Sequence, residues 1–252
     1  EEGKEIHSII DKEGYGKDFM VGTALLDMYA KCGSVSEANN VFKKLSKPNV
    51  VTWTALISGY AKHGYGNAAL ICLEKMQEEG FSPNAITYVC SLKACAIMRS
   101  LGIGEYIANE VRDKGLLQKD IMLGTALVDM FAKCGALVKA REVFDTLLVQ
   151  DVVAWTILIT KYARYGKYDD GLACFEEMKS KGVSPNSVIL ICSLNACCTL
   201  GAIERAEEIH AEIIRLGCLG NDIAVGNALI DMYANCGDLA KAQDVFDKLP
   251  CR

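Results

Sequence analysis

The sequence predicts an all-α fold, a solenoid of stacked helix-turn-helix units. Three observations carry this. One eleven-residue phrase returns at a fixed distance: TALLDMYAKCG at 23–33, TALVDMFAKCG at 125–135 and NALIDMYANCG at 227–237, each 102 residues after the last. That distance divides into units of 31, 35 and 36 residues. Inside each unit, apolar residues recur at spacings of three and four, the period of one helix face, and glycine stands where the run breaks.

The units follow in order. Residues 1–18 have the look of the tail of a preceding long unit. A first cycle runs 19–49, 50–84 and 85–120; a second runs 121–151, 152–186 and 187–222; 223–252 opens a third and lacks its last residue. In 50–84 the first helix carries Trp53, Leu56, Ile57 and Tyr60 on one face. His63-Gly64-Tyr65-Gly66 breaks it. The second helix carries Ala69, Leu73 and Met76 and ends near Gly80, with Pro83 in the exit turn. The short units repeat this shape, with Ala38, Val41, Phe42 and Leu45, then Ala140, Val143, Phe144 and Leu147, then Ala242, Val245, Phe246 and Leu249. Leu25, Leu26, Met28 and Tyr29 of the recurring phrase are packing residues, and Gly33 ends their helix. A hairpin this small cannot bury its apolar faces alone; stacked neighbours do so and leave a concave inner wall.

Composition narrows the function classes. No apolar run reaches the ~20 residues of a membrane helix. Four prolines leave little room for long irregular loops. The chain opens on EEGKEIHSII and ends at LPCR, so both ends are expected to be cuts in a longer protein. A formal charge of −5 argues against a simple basic nucleic-acid binder. Nine of the twelve cysteines fall at repeat-equivalent places: Cys32, Cys134 and Cys236; Cys72 and Cys174; Cys90 and Cys192; Cys95 and Cys197. Cys198, Cys218 and Cys251 have no counterpart. With no Cys-x-x-Cys and only three histidines, the cysteines are expected to pack as small apolar residues rather than hold metal, and no cofactor is called for.

Two families use helical hairpins of this size. Tetratricopeptide repeats bind peptides, share the Ala-x-x-x-Phe feature and place a tryptophan early in the first helix, as Trp53 and Trp155 stand here. They keep a fixed length of 34. The rotation of 31, 35 and 36 residues resembles instead the plant pentatricopeptide repeat proteins of the PLS class. VVTWTALISGYAKHG (50–64) and GTALLDMYAKCGSVSEANNVF (22–42) look like that family's P and S motifs; SLKACAIMRSLG and SLNACCTLGAIERAEEIH look like its L motifs. On this resemblance 19–49, 121–151 and 223–252 are S motifs, 50–84 and 152–186 are P motifs, 85–120 and 187–222 are L motifs, and 1–18 is a partial L motif.

The resemblance implies a right-handed superhelix that binds single-stranded RNA, one base per repeat, through the fifth and last residues of each motif. These are Thr23 with Asn49, Thr54 with Asn84, Thr125 with Asp151, Thr156 with Asn186, and Asn227 alone in the last unit. Ionised Asp only accepts and suits guanine; Asn both donates and accepts and suits adenine. By the family's code the target runs A, A, any base, G, A, any base, pyrimidine. The bland alternative is that Thr back-bonds its helix and Asn or Asp caps the next one. Val89 and Ile191 replace the polar fifth residue in the L motifs, where Asp120 and Asp222 are then caps.

Two further rows matter. The second residues Met20, Val51, Met122 and Val153 (with Ile86, Val188 and Ala224) hold the family's base-sandwiching place, or else pack between repeats. Position thirteen holds Lys31, Lys62, Lys133 and Arg164, a line of cations suited to phosphates or, alternatively, to helix dipoles. The glutamates Glu37, Glu74, Glu78, Glu79, Glu105, Glu110, Glu142, Glu176, Glu177, Glu204, Glu207, Glu208 and Glu212 fall on the expected second helices, so the net charge need not describe the inner wall.

No nucleophile–base set and no zinc-deaminase signature occurs, so the chain is not expected to be an enzyme. It looks like the address-reading tract of an organellar C-to-U editing factor, in mitochondrion or chloroplast, of the type that continues into a DYW deaminase domain. The family's L motifs dock multiple organellar RNA editing factor proteins. The competing reading is a protein-interaction scaffold of tetratricopeptide type.

Overall fold

A computed structural model describes residues 2–15, 18–45, 47–117 and 120–249, the side chains at 220 and 221 excepted. Among them all regular structure is helical, as expected. Helix α1 (Glu2–Lys12) precedes the hairpins α2 (Phe19–Lys31) and α3 (Val35–Lys44), α4 (Val50–Lys62) and α5 (Gly66–Glu78), α6 (Ala85–Met98) and α7 (Leu101–Asp113), and α8 (Ile121–Lys133) and α9 (Leu137–Asp145). Then come α10 (Val152–Arg164) and α11 (Tyr168–Ser180), α12 (Ser187–Leu200) and α13 (Ile203–Arg215), the four-residue α14 (Cys218–Asn221), and α15 (Ile223–Asn235) with α16 (Leu239–Lys248). Every unit boundary read from the sequence coincides with the first residue of a helix. The break at 63–66 is one residue shorter than expected, because Gly66 already belongs to α5. Gly33 (φ +80°) lets the chain leave α2 in the left-handed conformation.

The helices group into two compact units, Glu1–Cys134 and Gly135–Arg252. In the first, α2 packs on α4, α4 on α6 and α6 on α8, while the second helices α3, α5 and α7 each pack against the next first helix. The second unit repeats the pattern, α10 on α12 and α12 on α15, with α9 under α10 and α11 under α12. First helices therefore form one crowded wall in each unit. The backbones of α2 and α4 come close at Gly59, where an added Cβ would lie 2.6 Å from that of Ala30.

The core is the one the 3–4 spacing selects: Leu25, Leu26, Tyr29, Trp53, Leu56, Ile57, Leu73 and Met76 are buried, as are Val143, Phe144, Trp155 and Leu158. Phe42 meets Trp53 edge-on at 4.5 Å between centroids, and Phe144 meets Trp155 at 4.4 Å. Phe246 departs from its expected core place and is 43 % exposed. The tryptophan of the following unit covers its two counterparts, and the described residues after it hold no further hairpin. Met28, Phe42, Leu45, Tyr60 and Leu147 are half-buried at the rim of the core.

Cys95, Cys174 and Cys197 are buried. Burial pushes the Cys95 thiol up to about 12 and those of Cys72, Cys174 and Cys197 up to about 11, so these groups stay protonated and pack. Cys32 departs from that expectation, being exposed. Cys251 lies outside the described residues. Among the described residues, no three His, Cys, Asp or Glu side chains gather as a metal site. No described helix is long and apolar enough to cross a membrane.

Candidate nucleic-acid interface

The last residue of each unit is the N-cap of the next first helix. Asp18, Asn49, Asn84, Asp120, Asp151, Asn186 and Asp222 each accept a backbone N–H two or three residues on. Such a cap contributes about 1 kcal/mol, which alone accounts for Asn or Asp there. It does not consume the side chain. The Oδ1 atom is engaged: Asn49 accepts from Val51 N and Thr52 N, Asn84 from Thr87 N, Asp151 from Ala154 N at 2.9 Å, and Asn186 from Ile189 N. A backbone donor can only meet oxygen, so each amide is oriented and the second polar atom, Nδ2 or Oδ2, is left for other partners. Asp222 is tied into its own unit: hydrogen bonding from Ser187 and from backbone N–H groups holds its carboxyl below the ordinary value.

The fifth residues also bond their own helices. Thr23 donates to Phe19 O at 2.8 Å, Thr125 to Ile121 O at 3.1 Å and Thr156 to Val152 O, and Thr54 Oγ1 lies 2.6 Å from Val50 O. Back-bonding uses the proton and leaves the oxygen able to accept. Thr23, Thr125 and Thr156 are half-buried and Asn227 is exposed. Thr54 differs: it is only 8 % exposed and its hydroxyl faces the next unit, 2.7 Å from Thr87 Oγ1. Val89 and Ile191 are half-buried at the same place in the L units.

In one unit the fifth and last residues meet directly. Asn186 Nδ2 donates to Thr156 Oγ1 at 3.0 Å, across 30 residues of sequence. In 50–84 the corresponding residues are joined through Thr87, whose hydroxyl lies between Thr54 Oγ1 and Asn84 Oδ1. Sequence reading passed over Thr87 and also Thr52, which closes a reciprocal capping box with Asn49. The signal was present: Asn-x-x-Thr at 49–52 and at 84–87 is a capping-box spacing.

The second residues are the clearest surface feature. Met20 and Met122 are 74 % and 71 % exposed, and Val51, Ile86, Val153 and Val188 are all exposed too. Packing between repeats, the alternative open at the sequence level, does not hold for them. Each unit thus shows one bare apolar side chain two residues past the N-cap.

The cations divide into two classes. Lys31 pairs with Asp27 at 2.6 Å and Lys133 with Asp129 at 2.7 Å, both one helical turn apart. An exposed pair of this kind contributes about 0.3–0.5 kcal/mol and lowers the local positive charge. The P units carry Ser58 and Thr160 where those aspartates stand, and Lys62 and Arg164 are exposed. In unit 152–186 charge separates between the helices, α10 carrying two basic residues and no acid and α11 four acids and one base, whereas in 19–49 it does not, α2 carrying one residue of each sign and α3 one acid and two bases. Glu79 caps the end of α5 rather than lying within it.

Comparisons with known proteins agree with this geometry. The pattern described as the PPR repeat family matches residues 48–97 and 150–191, and the PPR repeat matches 23–49, 125–152, 194–218 and 227–252. A chloroplastic pentatricopeptide repeat-containing protein of Arabidopsis thaliana is 36% identical over 250 residues, covering 99% of this chain and 31% of its own. A mitochondrial one from the same plant is 35% identical over 249 residues, covering 98% and 36%. This chain thus spans about a third of the length of these relatives. The crystal structure of the pentatricopeptide repeat protein PPR10 in complex with an 18-nt psaJ RNA element superposes with a TM-score of 0.78 at 21% identity, covering 98% of this chain and 37% of that one. PPR10 from maize, in a further crystal structure, gives 0.60 at 19% identity, covering 97% and 40%. At these identities the likeness is one of fold.

Proposed function

Because this chain belongs to the pentatricopeptide repeat family, we propose that its first-helix wall binds single-stranded RNA and reads one base in each S and P unit. The observation that carries this is the contact of Asn186 with Thr156, which makes one polar pair of the fifth and last residues of a unit. The cap fixes what each last residue offers. With Oδ1 held on the helix, Asn49, Asn84 and Asn186 present Nδ2, a donor for N1 of adenine. Asp151 presents Oδ2, an acceptor for the N1–H and amino group of guanine. Thr23, Thr125, Thr156 and Asn227 complete the edge contacts. Met20, Val51, Met122 and Val153 supply the apolar faces between which bases sit, and their exposure supports that role. Lys62 and Arg164, with Lys31 and Lys133 in competition with their aspartates, follow the phosphates.

The preferred strand runs A, A, any base, G, A, any base, pyrimidine. The rotation of unit lengths and the motif text resemble the PLS class, so the chain is read as the target-recognition tract of an organellar C-to-U editing factor. Relatives with chloroplastic and mitochondrial names support an organelle. The exposed Ile97 and Met98 of the first L unit offer an apolar place for an editing-factor protein.

The test is titration of the 252-residue chain with that strand and with one whose three adenines and guanine are replaced by pyrimidines. The expected preference is at least about tenfold, from several hydrogen bonds each contributing about 0.5–1.5 kcal/mol. Neutralising Lys62 and Arg164 weakens both strands alike and lowers the slope of log affinity against log salt by about 0.7 per lost contact. Equal binding of both strands, or retention of peptides with no RNA at low salt, sinks the reading in favour of a scaffold.

A further inference from the structure

The two P units carry the same fifth and last residues, and the structure bonds them differently. In 152–186, Asn186 gives one Nδ2 hydrogen to Thr156, and buried Ile189 occupies the third place of the next unit. In 50–84 that third place is Thr87, which is fully buried. Its N–H donates to Asn84 Oδ1 at 2.8 Å and its hydroxyl meets the same oxygen at 2.9 Å. The same hydroxyl lies 2.7 Å from Thr54 Oγ1. With the Thr87 hydroxyl proton on Asn84 Oδ1, Thr54 gives its own proton to Thr87 Oγ1 and is drawn into the seam between α4 and α6.

We infer that Thr87 is a positioning residue for base selection by unit 50–84, an inference that rests on the RNA reading proposed above. Two donors from one residue grip Asn84 Oδ1. The amide then cannot turn its oxygen to the wall, and Nδ2 faces the base clear of Thr54. Adenine N1 accepts from that nitrogen; guanine N1–H opposes it, donor against donor. Thr54 does not touch the base. In 152–186 the base instead meets a threonine–asparagine pair, and the side chain at 189 has no part in it: only the Ile189 backbone N–H holds Asn186 Oδ1. Identical code letters therefore work by two geometries.

The experiment compares RNAs that carry A or G opposite unit 50–84, on the whole chain. The parent is expected to prefer A. Thr87→Val, nearly the same in shape, reduces that preference about fivefold, the worth of one orienting hydrogen bond. Thr87→Ser restores it, and Thr54→Val leaves it within about twofold, since that hydroxyl already points away from the base. Opposite unit 152–186, Thr156→Val reduces the preference about fivefold and Ile189→Val does not. Thermal melting of each variant accompanies the titrations. The inference is overturned if Thr87→Val keeps the parent's preference, or if it weakens A- and G-bearing RNAs equally, as a merely structural residue would. A parent with no base preference at any unit sinks the RNA reading itself, whereas a selective parent with an unaffected Thr87→Val sinks this inference alone.

Discussion

The cycles 19–120 and 121–222 are near copies in scaffold and differ where the scaffold meets the wall. Both seat a tryptophan of the P unit against a phenylalanine of the S unit, at almost the same distance. Both cap every first helix with Asn or Asp. Yet the second cycle adds charge to its frame. Arg141 joins Asp145 and Glu177, and Lys181 sits 5.3 Å over the Trp155 ring, where the first cycle has Asn39 and Glu79. The first cycle instead adds hydroxyls at the wall, Thr52 and Thr87, where the second has Ala154 and Ile189. Apolar packing is thus the shared part, and the polar positions around it were free to diverge.

The strongest way to break this comparison is to remove the shared part. Trp53→Ala and Trp155→Ala should each cost about 3–5 kcal/mol, measured by urea unfolding. Trp155 should cost more by about 0.5–1 kcal/mol, because its loss also removes the contact of the Lys181 ammonium with the ring face. Equal losses, or a larger one at Trp53, would mean that the added charge contributes nothing. The indole N–H of both tryptophans is buried without a hydrogen-bond partner, so no hydrogen bond of the ring adds to either loss.

A smaller effect lies in the L units. Arg99 takes a left-handed conformation (φ +50°) where the second cycle has Gly201 (φ +65°). A side chain there costs about 1 kcal/mol. Arg99→Gly should therefore stabilise the chain by roughly that amount, read as a higher urea midpoint with an unchanged slope. No gain would show that Arg99 is compensated by contacts of its own.

The sequence made the scaffold legible because two independent signals agreed. The 102-residue return, divided into 31, 35 and 36 residues, and the apolar spacing both mark Phe19, Val50, Ala85, Ile121, Val152, Ser187 and Ile223 as unit starts, and the structure begins helices there. What a residue does at the wall was less legible. Met20 and Met122 look like core residues by type, and only their position relative to the cap leaves them bare. The burial of Thr54 depends on Thr87, in the next unit, which no local window contains. Lys31 and Lys133 read as free cations although their partners lie four residues earlier in the recurring phrase; a helix brings that spacing together.

The most direct test is a swap at unit 121–151, where the wall offers a carboxylate instead of an amide. RNA with G at the fourth place of the target should bind the parent about tenfold better than RNA with A there, and Asp151→Asn should reverse the order while leaving the other places unchanged. If Asp151→Asn weakens both RNAs equally, Asp151 is a helix cap only, and the wall does not read bases.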